Sequence, residues 1–368
     1  MNKKALIALM SVLSVSLSAC GAVKNWEEHL DDYVFEMAYK ENFNILQLTD
    51  IHWNYNSSTS SSRTYLEKLL EQVKKHLPSG QQIDLIEITG DQFMLANSFQ
   101  VESFIKFFEK KAEEYGFKYA VIWGNHDRHG LYNPNWLSDQ FRKAKNCYYA
   151  EPNDNLYGRS NFVINLKDGD TVKWQLANLD SGASFSETAI SPFRDYDYIR
   201  KDQIEWYKKE NEKAGGAPVI AYYHIPQQDN GIAYKTRNTR KNKFFKLEGF
   251  ANNESEEYYS DFIKVGRENN LKATFMGHAH NIDWTVDYDG VILGLGVKTG
   301  TELYYAHIDA NSQDPMMKEG LESIGGSSEN FDLIGASLVT IKNETSFDLE
   351  HIYFNERPTK DFVRWEKW

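Results

Sequence analysis

Asn44-Ile45-Leu46-Gln47-Leu48-Thr49-Asp50-Ile51-His52 carries an apolar run straight into an acid and an imidazole two residues apart. Residues 44–49 read as a buried strand, and Asp50 lies just past its end. The pattern recurs. Leu85-Ile86-Glu87-Ile88-Thr89 runs into Gly90-Asp91, and Tyr119 to Trp123 runs into Gly124-Asn125-His126-Asp127. Val219 to Tyr223 reaches His224, and Ala273 to Met276 reaches Gly277-His278-Ala279-His280. Helical periodicity separates the early strands. Leu66, Leu69, Leu70, Val73 and Leu77 recur until Pro78 and Gly80, and Val101, Phe104, Ile105 and Phe108 recur until Gly116. Strands alternating with amphipathic helices define an α/β chain. In such sheets ligands collect beyond the carboxyl ends of the strands, so five ends of this kind can share one cleft. The glycines before Asp91, Asn125 and His278 suggest sharp backbone turns.

Outward from these strands the pattern becomes more sheet-like. Phe162 to Leu166 and Val172 to Leu179 flank the hairpin signal Lys167-Asp168-Gly169-Asp170. Asp202 to Lys213 and Tyr258 to Glu268 read as helices. Residues 285–288 and 291–295 pair around Asp289-Gly290. Ser57 to Ser62 reads as a loop, and the polar stretch Gln227 to Asn253 as a long loop over the cleft. Asp309 to Asn330 is irregular, and Leu338 to Ile341 closes against Phe347 to Tyr353. Residues 43–368 are expected to form one domain of packed sheets flanked by helices. Residues 20–42 are expected to be a spacer passing into a short helix.

The N-terminus adds a separate expectation. Lys3 and Lys4 precede the apolar run Ala5 to Leu17, then Leu17-Ser18-Ala19-Cys20-Gly21. This fits a secretory signal over residues 1–19. Its ending resembles a bacterial lipobox, which implies cleavage before Cys20 and lipidation of that thiol; an ordinary signal ending near a cysteine is the bland alternative. On the first reading the protein is exported and held on the bacterial membrane by its lipid. Cys147 is then the sole remaining cysteine, and no internal disulfide forms. A formal charge of −12 disfavours general nucleic-acid binding. No protein partner is indicated.

Five of the ten histidines sit in the strand-end motifs. A single histidine is most often a surface or core residue, but five in this order point to metal. Imidazole and carboxylate without thiolate suit Mn, Fe, Zn or Co.

The ordered set D-x-H, G-D, G-N-H-D, a lone His and G-H-x-H resembles the calcineurin-like metallophosphoesterases. Leu179-Asp180-Ser181-Gly182 and His224-Ile225-Pro226 look like the subgroup related to purple acid phosphatases. The resemblance implies a four-layer αββα sandwich of two mixed sheets flanked by helices. It also implies two divalent ions, with Asp50, His52 and His280 on the first, Asn125, His224 and His278 on the second, and Asp91 bridging. His126 would be the catalytic imidazole that is not a ligand. The expected reaction is in-line attack on phosphorus by a hydroxide between the ions, roughly 3.5–4 Å apart, on a small phosphorylated substrate.

Two departures stand out. Met94 occupies the position of the purple acid phosphatase Tyr ligand, so no iron–phenolate colour is expected. Met94 also removes the Asp that orients the catalytic His in protein Ser/Thr phosphatases, and Ile122-Trp123-Gly124 lacks the Arg of that branch. Asp127 is a candidate to orient His126, or else a backbone cap. Arg128 and His129 are candidates to touch substrate, or else solvated loop residues. Asp180 either supports the site or caps a turn, and Lys235 to Lys246 reads as a solvated basic face, or else as a run that attracts an anionic substrate. The competing functional class is a catalytically silent, lipid-anchored binding protein on the same fold.

Overall fold

The computed structural model describes residues 33–365 apart from 54–58, 96, 130–131, 153–154, 184–195, 241, 247–258, 302–306, 309–310, 316–317, 319–330 and 355–362. Cys20 and the expected signal lie outside the described residues. In chain order the strands are β1 Val34–Ala38, β2 Phe43–Leu48, β3 Leu85–Thr89, β4 Lys118–Ile122, β5 Cys147–Tyr148, β6 Phe162–Asp168, β7 Thr171–Asn178 and β8 Val219–Tyr222. They continue with β9 Asn242–Lys246, β10 Leu271–Met276, β11 Ile282–Tyr288, β12 Val291–Leu295, β13 His307–Ile308, β14 Phe331–Asp332, β15 Gly335–Asn343, β16 Ser346–Tyr353 and β17 Val363–Trp365. The helices are α1 Thr59–His76, α2 Ser98–Tyr115, α3 Pro134–Lys143, α4 Lys201–Lys213, α5 Gln228–Lys235 and α6 Phe262–Glu268.

Two mixed sheets carry the fold. One has eight strands in the order β1-β6-β7-β8-β10-β12-β11-β9, the other seven in the order β17-β16-β15-β2-β3-β4-β5. Alternation along each strand divides the core into three layers. Leu46, Leu48, Ile86, Ile88 and Val121 face α1, α2 and α3. Val219, Ala221, Leu293 and Leu295 face α4, α5 and α6. Ile45, Leu85, Ile122, Leu176, Tyr222 and Phe275 meet between the sheets. The result is the expected αββα sandwich. At its centre β2, β3 and β4 run parallel in one sheet, and β8 and β10 run parallel in the other. These five strands end in the acid and imidazole motifs.

Several local expectations are corrected. Residues 34–38 form no helix; they add a parallel edge strand, with Val34 opposite Val163, and Phe35 stacks on Tyr148 at 4.7 Å. Helix α1 already includes Thr59 to Ser62, part of the expected loop. The stretch 227–253 is not one loop. Gln227 and Asn230 form a capping box on α5, whose Ala233 and Tyr234 pack on the sheet. Asn242 to Lys246 then pairs with β11. Tertiary packing, rather than helical periodicity, orders this segment. The Asp289-Gly290 turn has φ values of 54° and 90°, as a two-residue hairpin of primed type requires. No helix among the described residues is long and apolar enough to cross a membrane.

Candidate metal centre

The five strand ends meet at one rim. Asp50, His52 and His280 offer ligand atoms within 4.8 Å of one another, and Asp91, His224 and His278 form a second such group. Asn125 joins the second, its Oδ1 lying 3.1 Å from His224 Nε2 and 2.9 Å from His278 Nδ1. In the first group the Nε2 atoms of His52 and His280 are 3.3 Å apart, and His280 Nε2 is 3.5 Å from Asp50 Oδ1. Asp91 Oδ2 stands 3.3 Å from His224 Nε2 and 4.0 Å from His52 Nε2. One carboxylate oxygen thus lies between the two groups.

Backbone strain brings these side chains inward. Asp50, His52, Asp91 and His278 have φ of 51°, 46°, 52° and 81°. Non-glycine residues rarely adopt this left-handed region, and such strain persists where surrounding bonds over-determine it. Here those bonds are Asp50 N to Gly90 O at 3.1 Å, His52 N to Asp91 O at 3.0 Å, and His278 N to Asp50 Oδ2 at 3.0 Å. The glycines act differently from expectation. Of the three, only Gly90 has positive φ. Gly124 and Gly277 instead give room: a Cβ on Gly124 would lie 2.2 Å from Asp91 Oδ1, and one on Gly277 1.9 Å from Thr49 Oγ1.

The electrostatics agree with cation binding. His224 Nδ1 meets Thr89 O at 2.8 Å, which orients the ring and leaves Nε2 facing Asn125 Oδ1 and Asp91 Oδ2. When Nδ1 carries the proton, three lone-pair atoms converge there, an arrangement that is repulsive until a proton or metal enters it. Burial depresses His224, but the Asp91 and Asp50 carboxylates outweigh it and hold the imidazole up at about 9. Burial would raise Asp91, but the His224 charge outweighs it and keeps the acid well below the ordinary range. Asp50 is likewise lowered against burial, by its His280 hydrogen bond and the His224 charge. Burial pushes His52 and His278 down to about 3, leaving them neutral as metal ligands must be. Asp91 Oδ2 and His278 Nε2 are buried without a well-formed hydrogen bond. The donor set and these orphan atoms fit a pair of divalent ions.

The remaining candidates separate. His126 is half-buried. Its N–H donates to Asp91 Oδ1 at 2.9 Å, and its ring lies 5.5 Å from that of His52. Asp127 does not serve as the partner of His126. It is fully buried, and its two oxygens accept the backbone N–H groups of Gly124 at 2.7 Å and Phe93 at 3.0 Å. Burial and then the Asp91 carboxylate push its acid well up. The backbone-cap alternative therefore describes Asp127. Arg128 is tied to Asp180 Oδ1 at 2.5 Å and lies over Trp123. Asp180 also accepts the N–H groups of Arg159 and Gly182, so it holds the floor of this loop. His129 is exposed, 5.9 Å from His126 between ring centroids. Tyr196 was not legible in the sequence. It falls in no motif, yet its ring lies 4.3 Å from that of His278 at 84°.

Residues 43–281 match the family described as calcineurin-like phosphoesterase, and the chain belongs to it. It is 24% identical over 295 residues to "Probable inactive purple acid phosphatase 29" of Arabidopsis thaliana, covering 71% of this chain and 73% of that protein. It is 26% identical over 276 residues to "Phosphatase DCR2" of Saccharomyces cerevisiae, covering 67% of this chain but only 45% of that one. Among solved structures, "GAP50 the anchor in the inner membrane complex of Plasmodium" is similar in fold, with a TM-score of 0.52 and 11% identity over 88% of this chain and 89% of that one.

Proposed function

We propose that the protein is a metal-dependent phosphoester hydrolase. One observation carries the reading: Asp91 Oδ2 stands between the two ligand groups, within 4.0 Å of an imidazole of each. Asp50, His52 and His280 would hold one divalent ion, Asn125, His224 and His278 the other, and Asp91 both. When bound, the ions supply Lewis-acid charge and acidify water, which makes a nucleophile at neutral pH. The chain does the rest. The Asn125 carbonyl adds no charge, so the site keeps a positive balance for an anionic phosphoester. The backbone N–H of His126 holds Asp91 Oδ1 in place. The imidazole of His126 is placed to hydrogen-bond a phosphoryl oxygen or protonate the leaving oxygen. Asp127 holds the backbone of Gly124 and Phe93, Thr89 the His224 ring and Thr49 the Asp50 carboxylate, so that little would reorganise during the reaction.

The test is turnover of nitrophenyl phosphate and bis-nitrophenyl phosphate by the full chain loaded with Mn, Fe, Zn or Co. Activity that disappears on chelation and returns with metal is expected. Absence of turnover with every metal, in protein that binds two ions, would favour the silent binding protein; the word "inactive" in the name of the Arabidopsis relative motivates that second reading. We further propose export and lipid anchoring through Cys20. Cys20→Ser should then move the protein from the membrane fraction to the soluble one, and an unchanged distribution would refute the anchor.

A further inference from the structure

We propose that Tyr196 is a substrate-binding residue, its phenol donating a hydrogen bond to a phosphoryl oxygen from the side of the cleft opposite His126. This rests on the phosphoesterase reading. The two rings flank the centre. His126 stands against His52 of the first ligand group, 5.5 Å between centroids, and Tyr196 stands against His278 of the second, at 4.3 Å. The phenol is half-buried and makes no hydrogen bond among the described residues. Its ring meets that of His278 in a T-shaped contact, so the phenol stands beside the second ligand group, where a phosphoester would sit.

The chain fixes this residue firmly. The buried Asp197 carboxylate, next in sequence, accepts from the N–H of Tyr198 at 2.9 Å, from Arg200 at 3.3 Å and from the Tyr157 hydroxyl. Asp197 N donates to Ala183 O at 3.2 Å, and Ile199 N to Gln227 Oε1 at 2.9 Å. A preorganised neutral O–H stabilises a phosphoryl anion without adding charge that would compete with the ions. Sequence spacing hides the residue because Met94 stands where a Tyr follows the bridging Asp in the resembling enzymes. The Tyr196 ring instead packs against His278 from the residues just before α4.

The experiment compares wild type with Tyr196→Phe as metal-loaded full chains, because Phe keeps the ring on His278 and removes only the hydroxyl. Binding of inorganic phosphate is measured by calorimetric titration, kcat and KM with the better nitrophenyl ester, and bound metal by elemental analysis. A hydrogen bond to an anion predicts a loss of about 10- to 100-fold in phosphate affinity and in kcat/KM, with metal content unchanged. Wild-type phosphate affinity in Tyr196→Phe overturns the inference while leaving the phosphoesterase reading intact. So does a loss that tracks loss of metal, which would make Tyr196 a packing residue for His278. A wild-type protein that neither turns over nor binds phosphate overturns the phosphoesterase reading instead, and this inference with it.

Discussion

Asp91 and Glu87 sit four residues apart, the one just past β3 and the other at its middle, and both are buried; they behave in opposite ways. Asp91 lies at the rim beside His224, whose positive charge overcomes burial and keeps the acid ionised. Glu87 lies deeper, between the sheets, with Gln47 and Ala120 as its strand neighbours. Burial pushes it up to about 8, with only the Asn178 amide pulling back. Neither of its oxygens makes a well-formed hydrogen bond among the described residues. Burial alone therefore says little about a carboxyl. What matters is whether the fold delivers cationic or metal-binding partners to the same depth.

Substitution separates the two positions. Asp91→Asn should lower turnover by at least about 10³-fold and reduce bound metal, while circular dichroism stays native. Glu87→Gln should leave turnover within about twofold, and equal losses at the two positions would erase the contrast. The next effect is on stability. Between pH 4.5, the ordinary Glu value, and about 8, the unfolded chain releases a proton that folded Glu87 keeps. Its contribution is then complete below pH 4.5 and is lost as pH rises through 8, by about 5 kcal/mol in total. Urea unfolding of wild type and Glu87→Gln at pH 5 and pH 8 should show this as a difference in slope; parallel curves would mean that Glu87 is ionised in the fold.

Two smaller effects sharpen the rim side of the comparison. On the proposed mechanism, His126→Ala should cost about 10²-fold in kcat with both ions retained, since its ring would serve proton transfer rather than ligation. Retention of full rate would leave the leaving group to water. Asp127→Ala removes two backbone hydrogen bonds beneath Asp91 and should lower stability by about 2–3 kcal/mol. If it instead reduced kcat at unchanged unfolding free energy, Asp127 would be a partner of His126 after all.

Much of this was legible in the residues alone. The strands before Asp50, Asp91, Asn125, His224 and His278 are short apolar runs bounded by polar ends, a pattern that survives any packing. The ligand types named a divalent-metal chemistry for the same reason, because affinity depends on the atoms offered. Other features depended on neighbours distant in sequence. Residues 34–38 became a strand because β6 offered an open edge, and residues 228–235 a helix because the second sheet covered them. Glycines expected to turn proved to be spaces kept clear for Asp91 and Thr49, while the ligands Asp50, His52, Asp91 and His278 themselves took the left-handed backbone.

The order and kind of the metal-type side chains were set by the amino-acid sequence itself, since periodicity and donor chemistry are local properties. Only the tertiary structure decided that Asp91 would lie between two groups of imidazoles, that Asp127 would clamp backbone, and that Tyr196 would stand against His278. Those outcomes rest on distances between segments up to about two hundred residues apart, and distance is what a linear pattern does not contain.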